Sequence, residues 1–139
     1  MRPASIRTFE VLILLSLALG LAVTAMTWSS LTQEVGQGLV IAVQAATLSV
    51  VLWGVFLVAR RANNLARWVF TVMFGIGFIA YIPQVAFLFS AQPTVGLLGT
   101  IQVMLQLSAL MMLFRADARV WFRARRKAEA PKAREDQPA

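Results

Sequence analysis

Arginine and asparagine side chains that could bind an anion lie close together near the middle of the chain. The segment LVARRANNLARWVF contains Arg60, Arg61 and Arg67, together with Asn63 and Asn64. A guanidinium group presents a planar fork of donors that matches phosphate and carboxylate oxygens. Long apolar runs flank the segment on both sides. The pattern predicts either contacts with anionic lipid headgroups or only a marker of the cytoplasmic side of a membrane.

A second basic group follows the last apolar run. In RADARVWFRARRK, residues 115–127, the side chains of Ala118, Trp121 and Phe122 share one helical face at i, i+3, i+4 spacing. This stretch is either a helix that continues the last apolar run beyond the lipid and bends to lie on an anionic leaflet, or a simple basic flank. Each basic residue near such a leaflet adds about 1 kcal/mol of attraction. The residues of this stretch that we predict to contact headgroups are Arg115, Arg119 and Arg123.

Neutral polar side chains enter the apolar runs at similar depths. Amides in apolar surroundings either hydrogen-bond between helices or line a polar pocket for an uncharged or amphiphilic ligand. A proline next to such an amide is expected to kink its helix and could form a hinge. The residues predicted for this pocket or for interhelical contacts are Gln44, Tyr81, Pro83, Gln84, Gln102 and Gln106.

The chain lacks the side chains on which most catalytic mechanisms depend. The chain has no cysteine and no histidine, which excludes a thiol nucleophile, a Ser-His-Asp triad, and metal or haem sites built on these ligands. Glu10 is the carboxylate closest to the middle of an apolar run, and its place near the start of that run favours an interfacial ion pair with Arg7. We therefore expect no enzymatic activity, no metal and no cofactor.

Four apolar runs are long enough to position these groups across a membrane. A transmembrane helix needs about 20 mainly apolar residues, and backbone groups in lipid must be paired within the helix. The chain is 59% hydrophobic and 14% charged, and its apolar runs show no period-2 alternation. Short links predict an antiparallel up-down four-helix transmembrane bundle in an all-α membrane protein. The predicted spans are 9–28, 39–58, 68–89 and 95–114.

The basic residues are placed on only one side of these spans. All 13 Lys and Arg residues precede the first span, lie between the second and third, or follow the fourth. The links on the other side carry no Lys or Arg, and Glu34 is their only charge. Since cytoplasmic loops carry the Lys and Arg excess, we predict a multi-pass protein of the bacterial inner membrane with both termini in the cytoplasm. A basic flank is expected there, so a nucleic acid is not an expected partner.

The chain divides into a membrane domain and a tail. We expect residues 1–114 to form the four-span domain and residues 115–139 a basic cytoplasmic tail with a short helix, disordered from about residue 128 because apolar periodicity stops. The N-terminus is also similar to a signal peptide with a small-residue cleavage site after Ala25. The apolar run continues to Trp28, which favours a retained span.

Several short patterns carry a resemblance to a family. They are the opening RPASIRTFEVLILLSLALGL, the W-x₆-R-R from Trp53 to Arg61, and the ARW from Ala66 to Trp68. Together they resemble a family of small uncharacterised bacterial four-span membrane proteins over about the first half of the chain. The resemblance implies a four-span fold and no particular activity, so no residue receives a role from it.

Two functions fit the sequence. The first is a non-catalytic accessory or structural subunit that packs against itself or a larger membrane complex, with anionic lipids as further partners. The second is a small carrier for a neutral or amphiphilic solute, built around Tyr81, Pro83, Gln84 and Gln102. The Pro83–Gln84 pair is similar to the one in PQ-loop sugar and amino-acid carriers.

Overall fold

The computed structural model describes residues 3–129, and side chains as far as Arg125. Helices account for nearly all of this part of the chain. Four of them are long and apolar enough to cross a membrane, which confirms the predicted all-helical class and number of spans. The helices are α1 (Ala4–Met26), α2 (Trp28–Val35), α3 (Gln37–Arg61), α4 (Asn64–Ala91), α5 (Pro93–Leu113) and α6 (Ala116–Glu129).

The link after the first span is itself helical. The sequence predicted only a short link between the first two spans, whereas residues Trp28–Val35 form the short helix α2. Its end is set by Gly36, whose φ of 82° lies in the region that favours glycine. Trp28 and Val35 are exposed on α2 together with Glu34. An amphipathic helix of this kind is typical of a membrane interface.

The arginine segment forms a tight turn between α3 and α4. Ala62 adopts a left-handed conformation with a φ of 51°, and the backbone N–H of Asn63 donates to the carbonyl of Leu57 at 3.2 Å. A left-handed residue ends many helices, and here the Asn63 N–H pairs with a carbonyl of the last turns of α3. The side-chain oxygen of Asn63 then accepts from the backbone N–H groups of Leu65 and Ala66, at 2.9 and 3.2 Å. It therefore caps the start of α4.

The buried core lies where several helix ends meet, and we call this region the packed end. It comprises residues 3–16, 51–70 and 109–122. Buried side chains recur at helical spacing along α1, as Ile6, Phe9 and Ile13 illustrate. The remaining core comes from the end of α3, the start of α4, the end of α5 and the first turns of α6. These buried residues are Val51, Val55, Val58, Ala59, Ala62, Ala66, Phe70, Ala109, Leu110, Leu113, Ala118 and Phe122.

A close approach between α3 and α4 organises this core. The ring of Phe70 lies against Gly54 with no space for a Cβ atom. Phe70 also contacts Phe9 on α1, with ring centroids 6.0 Å apart in an edge-to-face arrangement. A neighbouring ring, Phe74, lies 5.3 Å from Phe70. Three helices are therefore joined through one aromatic side chain.

The rest of the bundle is much less buried, and we call residues 17–50 and 71–108 the open half. Within it only Val40 and Gly96 are buried. The most extensive pairing in the molecule, α1 with α5, continues along it, and α4 also packs on α5. By contrast, α3 makes few contacts with α1 and α4. The large side chains that the open half exposes are mostly apolar.

The end of the described chain departs from a straight continuation of the last span. α5 ends at Leu113, and Phe114 and Arg115 separate it from α6. The predicted face of α6 then packs into the bundle, because Ala118 and Phe122 are buried and Trp121 lies against the core. α6 runs to Glu129. The disorder expected from about residue 128 stays a prediction, since residues 130–139 lie outside the described part of the chain. Arg2 also lies outside it.

Candidate anion-binding site

A cleft of about 320 Å³ lies between the start of α4 and the middle of α6. Three of the six arginines predicted to contact headgroups line it, namely Arg67, Arg119 and Arg123. The capped start of α4 positions Arg67, and the burial of the Ala118 and Phe122 face of α6 positions the other two. Asn64, Trp68 and Phe122 complete the lining.

Aromatic rings hold the Arg67 guanidinium in place. Its central carbon lies 4.4 Å from the centroid of the Phe114 ring, 5.3 Å from that of Phe122 and 5.9 Å from that of Trp68. Distances below about 6 Å are typical of cation–π contacts. Trp68 and Phe114 also contact each other edge to face at 5.7 Å. The cation is therefore fixed by apolar rings on α4, α6 and the α5–α6 link.

The Arg67 guanidinium has no hydrogen-bond acceptor among the described residues. Its Nε is buried, and none of the described residues accepts a hydrogen bond from it. Within the described part of the chain, no carboxylate forms an ion pair with Arg67, Arg119 or Arg123. Arg119 lies close enough to Arg67 for the two cations to repel each other. A buried donor without a partner and an excess of positive charge both favour an anion.

The one carboxylate near the start of α6 faces away from these cations. Asp117 Oδ2 accepts from the backbone N–H of Ser5 on α1 at 3.3 Å. The Ser5 hydroxyl forms no hydrogen bond of ordinary geometry, yet its proximity is the largest cause that lowers the pKa of Asp117 below the usual value. Exposure of the carboxyl group to solvent keeps this interaction weak. It nevertheless fastens α6 to the first turn of the chain.

The other predicted headgroup contacts lie elsewhere. Arg61 extends over the ring of Phe56, with its central carbon 5.8 Å from the centroid. Arg115 donates to the sulfur of Met112 at 3.9 Å, and Arg60 is exposed. Asn63, whose amide was considered for the same role, uses its oxygen in the cap of α4. The structure therefore brings three of the six predicted arginines into one cleft and leaves three on the surface.

The predicted polar layer divides into separate contacts. Thr24 on α1 donates to Gln44 Oε1 on α3 at 3.4 Å, which is an interhelical contact near the limit of hydrogen bonding. The hydroxyl of Tyr81 lies 3.1 Å from that of Thr100 and donates to the carbonyl of Gly96 at 3.2 Å. These contacts join α1 to α3 and α4 to α5. Neither threonine was singled out in the sequence, where a lone Thr in an apolar run gives no specific signal.

The two glutamines of α5 are partly buried. Gln102 lies beside Gly20 of α1. A Cβ atom added at position 20 would lie only 2.9 Å from the amide nitrogen of Gln102. No hydrogen bond joins Gln102 or Gln106 to another residue in the described part of the chain. Gly20 thus provides the room that the Gln102 side chain occupies.

Gln84 and Pro83 differ from the expectation. Both are exposed on α4, and Gln84 Nε2 donates to the carbonyl of Ala80 in its own helix at 2.9 Å. Gln84 therefore does not meet Gln44 or Gln102 between the helices. The sequence gives only how far along its span Gln84 lies, whereas the direction in which a helix turns its side chains depends on packing.

Comparisons with protein-family models, with curated proteins and with solved structures each found no match. Within the described residues no group of three or more His, Cys, Asp or Glu side chains is arranged to hold a metal ion. The geometry on which a function can be argued is therefore the arginine cleft at the packed end and the exposed surface of the open half.

Proposed function

We propose that this chain is a small, non-catalytic, multi-pass protein of the bacterial inner membrane that acts as an accessory or structural subunit. In this proposal it associates through its open half with a second copy or with a larger membrane complex. The lack of cysteine and histidine in the sequence supports a non-catalytic role. The four apolar helices support the membrane location.

Exposed Gln84 is the observation that carries the association. In α4 it lies about 10 Å from the helix midpoint at about 1.5 Å per residue, well within a hydrocarbon core about 30 Å thick. Its amide makes one hydrogen bond, to Ala80, and can make more. Lipid offers no partner for the remaining donor and acceptor, whereas a second helix can. Interhelical hydrogen bonds of this kind contribute about 0.6–2 kcal/mol each.

The packing of α4 supports the same conclusion. None of its most apolar 18-residue window is buried against the rest of the chain. Ile79, Ile82 and Phe87 are exposed on α4 at 67%, 55% and 69% of their surface. Such a surface suits lipid or an apolar helix equally, and Gln84 within it favours the helix.

The association is tested with Gln84→Leu in the full chain. Donor-labelled and acceptor-labelled copies in vesicles should show energy transfer for the natural sequence, and a pull-down in mild detergent should recover a second copy or a constant partner. Gln84→Leu should weaken both by about three- to thirtyfold, since about 0.6–2 kcal/mol is lost. The matched control is Gln106→Leu, the same change at a partly buried position, which should preserve association. Lone monomers in both assays would contradict the proposal.

The proposed orientation places both termini and the α3–α4 turn in the cytoplasm, in an antiparallel up-down bundle. The support is that every described Lys or Arg lies at or beside the packed end, as expected for a cytoplasmic surface. Because the chain has no cysteine, single cysteines can report the topology. Gln33→Cys on α2 should react with an impermeant maleimide from outside spheroplasts, and Ala124→Cys on α6 only after permeabilisation. The reverse pattern would contradict the orientation.

The carrier alternative has less support from the geometry. Two of its four residues, Pro83 and Gln84, are exposed on the outside of α4, so they do not line a path between helices. Gln102 remains partly buried beside Gly20, and Tyr81 is used in contacts with Gly96 and Thr100. Loss of transport in the Gln102→Leu variant, with association intact, would favour the carrier.

A further inference from the structure

The cleft between α4 and α6 has the features of a formed binding site. It brings together Arg67, Arg119 and Arg123 from two helices. Three aromatic rings already fix the orientation of Arg67, including the nearest, Phe114. A site with such a prearranged cation loses less conformational freedom when a ligand binds. Its buried Nε has no acceptor among the described residues.

We propose that this cleft binds a phosphate group and that the bound phosphate holds α6 against the bundle. Guanidinium forks match the tetrahedral oxygens of phosphate and form charge-assisted hydrogen bonds with them. The amide of Asn64 at the rim offers a neutral donor. Its volume of about 320 Å³ is at the lower end of the range of about 300–1,000 Å³ for small-molecule sites. A phosphate or a glycerophosphate headgroup therefore fits the cleft better than a large ligand.

The coupling to α6 follows from the forces that hold this helix. Its docking is favoured by the buried side chains of Ala118 and Phe122 and by the contact of Asp117 with Ser5. It is opposed by the repulsion between Arg119 and Arg67. A phosphate between the two cations converts the repulsion into attraction. A ligand that binds only the docked form raises the population of that form by linkage.

The phosphate could come from a lipid headgroup or from solution, and both sources share this chemistry. Trp68 at the rim and the apolar spans below it suit a lipid, whereas the exposed Arg119 and Arg123 are accessible from the aqueous side. The experiment therefore needs one arm with an anionic phospholipid and no inorganic phosphate, one with inorganic phosphate and no phospholipid, and a reference with neither.

The test uses the full chain carrying Ala124→Cys with a spin label on α6. The chain has no other cysteine, and Ala124 is exposed and does not line the cleft. Micelles of a maltoside detergent, which carries no phosphate, are compared with the same micelles containing phosphatidylglycerol, and with the same micelles plus inorganic phosphate. We expect the label to become less mobile in at least one of the two anionic arms. The arm in which it does identifies the source.

Two variants that each remove one positive charge from α6 distinguish binding in the cleft from general attraction between α6 and anions. Arg119→Gln should weaken the effective phosphate or phosphatidylglycerol affinity by about tenfold or more, since charge-assisted hydrogen bonds are lost. It should also make α6 less mobile without any anion, because the repulsion of Arg67 is removed. Arg125→Gln removes the same charge from an exposed site outside the cleft and should change the affinity by less than about twofold.

Three results would overturn the inference. One is equal loss of affinity in Arg119→Gln and Arg125→Gln, which indicates non-specific attraction. Another is binding without any change in the mobility of α6. The third is no response in either anionic arm. All three results are independent of the association through Gln84. Failure of the phosphate proposal would therefore leave the proposed subunit role unaffected, and failure of the association would leave the phosphate proposal unaffected.

Discussion

The packed end and the open half of the same four apolar helices differ in what surrounds their side chains. At the packed end, Phe9, Val58 and Leu113 are fully buried within the chain. In the open half, Phe87 and Ile79 are among the most exposed side chains. Both regions are strongly apolar, so hydropathy alone does not distinguish them. The difference teaches that the chain supplies its own core at the cation-rich end, whereas at the other end its large apolar side chains are left uncovered by the chain itself.

Truncation of a large side chain should give the largest difference in the free energy of unfolding between the two regions. Phe9→Ala removes a ring that is 0% exposed and contacts Phe70, and we expect it to lower the free energy of unfolding by about 3–5 kcal/mol. The matched change in the open half is Phe87→Ala. It should lower that free energy by less than about 1 kcal/mol in the isolated chain. Reversible unfolding in detergent micelles measures both, and equal losses would contradict the division into two regions.

Overpacking should have the next largest effect. Gly54→Ala places a methyl group where the ring of Phe70 lies. The rings of Phe9 and Phe74 contact the Phe70 ring and prevent it from moving away. We expect a loss of about 1–3 kcal/mol in the free energy of unfolding. Gly75→Ala is the control in the open half, because nothing lies within 4 Å of the added atom. It should be neutral or stabilising by up to about 1 kcal/mol, since alanine favours helix. A neutral Gly54→Ala would show that α3 is free to move away from α4.

Helix capping offers a smaller contrast. Asn63 caps α4 with two side-chain hydrogen bonds, whereas Gln92 precedes α5 with none. Asn63→Ala should lower the free energy of unfolding by about 0.5–2 kcal/mol, as is usual for loss of such a cap. Gln92→Ala should change it by less than about 0.5 kcal/mol. Thermal unfolding of the two variants side by side measures the difference, and an equal effect would contradict it.

The smallest expected effect is the pH dependence of α6 docking. The pKa of Asp117 is lowered in the folded chain, first by the Ser5 side chain. The stabilisation of docked α6 by the Asp117 carboxylate is therefore fully present above the pKa of the unfolded chain, and it is lost as pH falls through the pKa of the folded chain. We expect the label at Ala124→Cys to gain mobility slightly below about pH 4, and Asp117→Asn to remove that transition. A transition of equal size in Asp117→Asn would assign it to another group.

The number of spans could be predicted from the sequence, because the length and mean hydropathy of a segment are local properties. The sequence was not sufficient for α2, since Gly36 and Gly38 near polar residues are typical of a loop. The face of α6 was recognised from the spacing of Ala118 and Phe122. Its partner was not, because Ser5 lies 112 residues away along the chain and no local pattern connects the two.

The candidate site shows the same limit. Charge placement identified the six arginines as a group, yet the selection of Arg67, Arg119 and Arg123 depends on the bend after Leu113, which places α6 beside α4. The rings of Phe114 and Phe122 around Arg67 depend on that bend too. For Gln84, the sequence gives its place along α4 but not the direction of its side chain, because an apolar helix without a marked polar face gives no indication of its rotation.

The hydrogen bond from Ser5 to Asp117 has a consequence for biosynthesis. It spans 112 residues, and the main partner of α1 is α5, near the other end of the chain. Ribosomes add about 5–20 residues per second, so the first helix waits roughly ten seconds before its partner emerges. Phe9 gains its contact with Phe70 only when α4 is made, and the part of the core that α5 supplies comes later still. A chaperone or insertase that shields the newborn first helix would therefore matter more for this chain than for one whose consecutive helices pair as they are made.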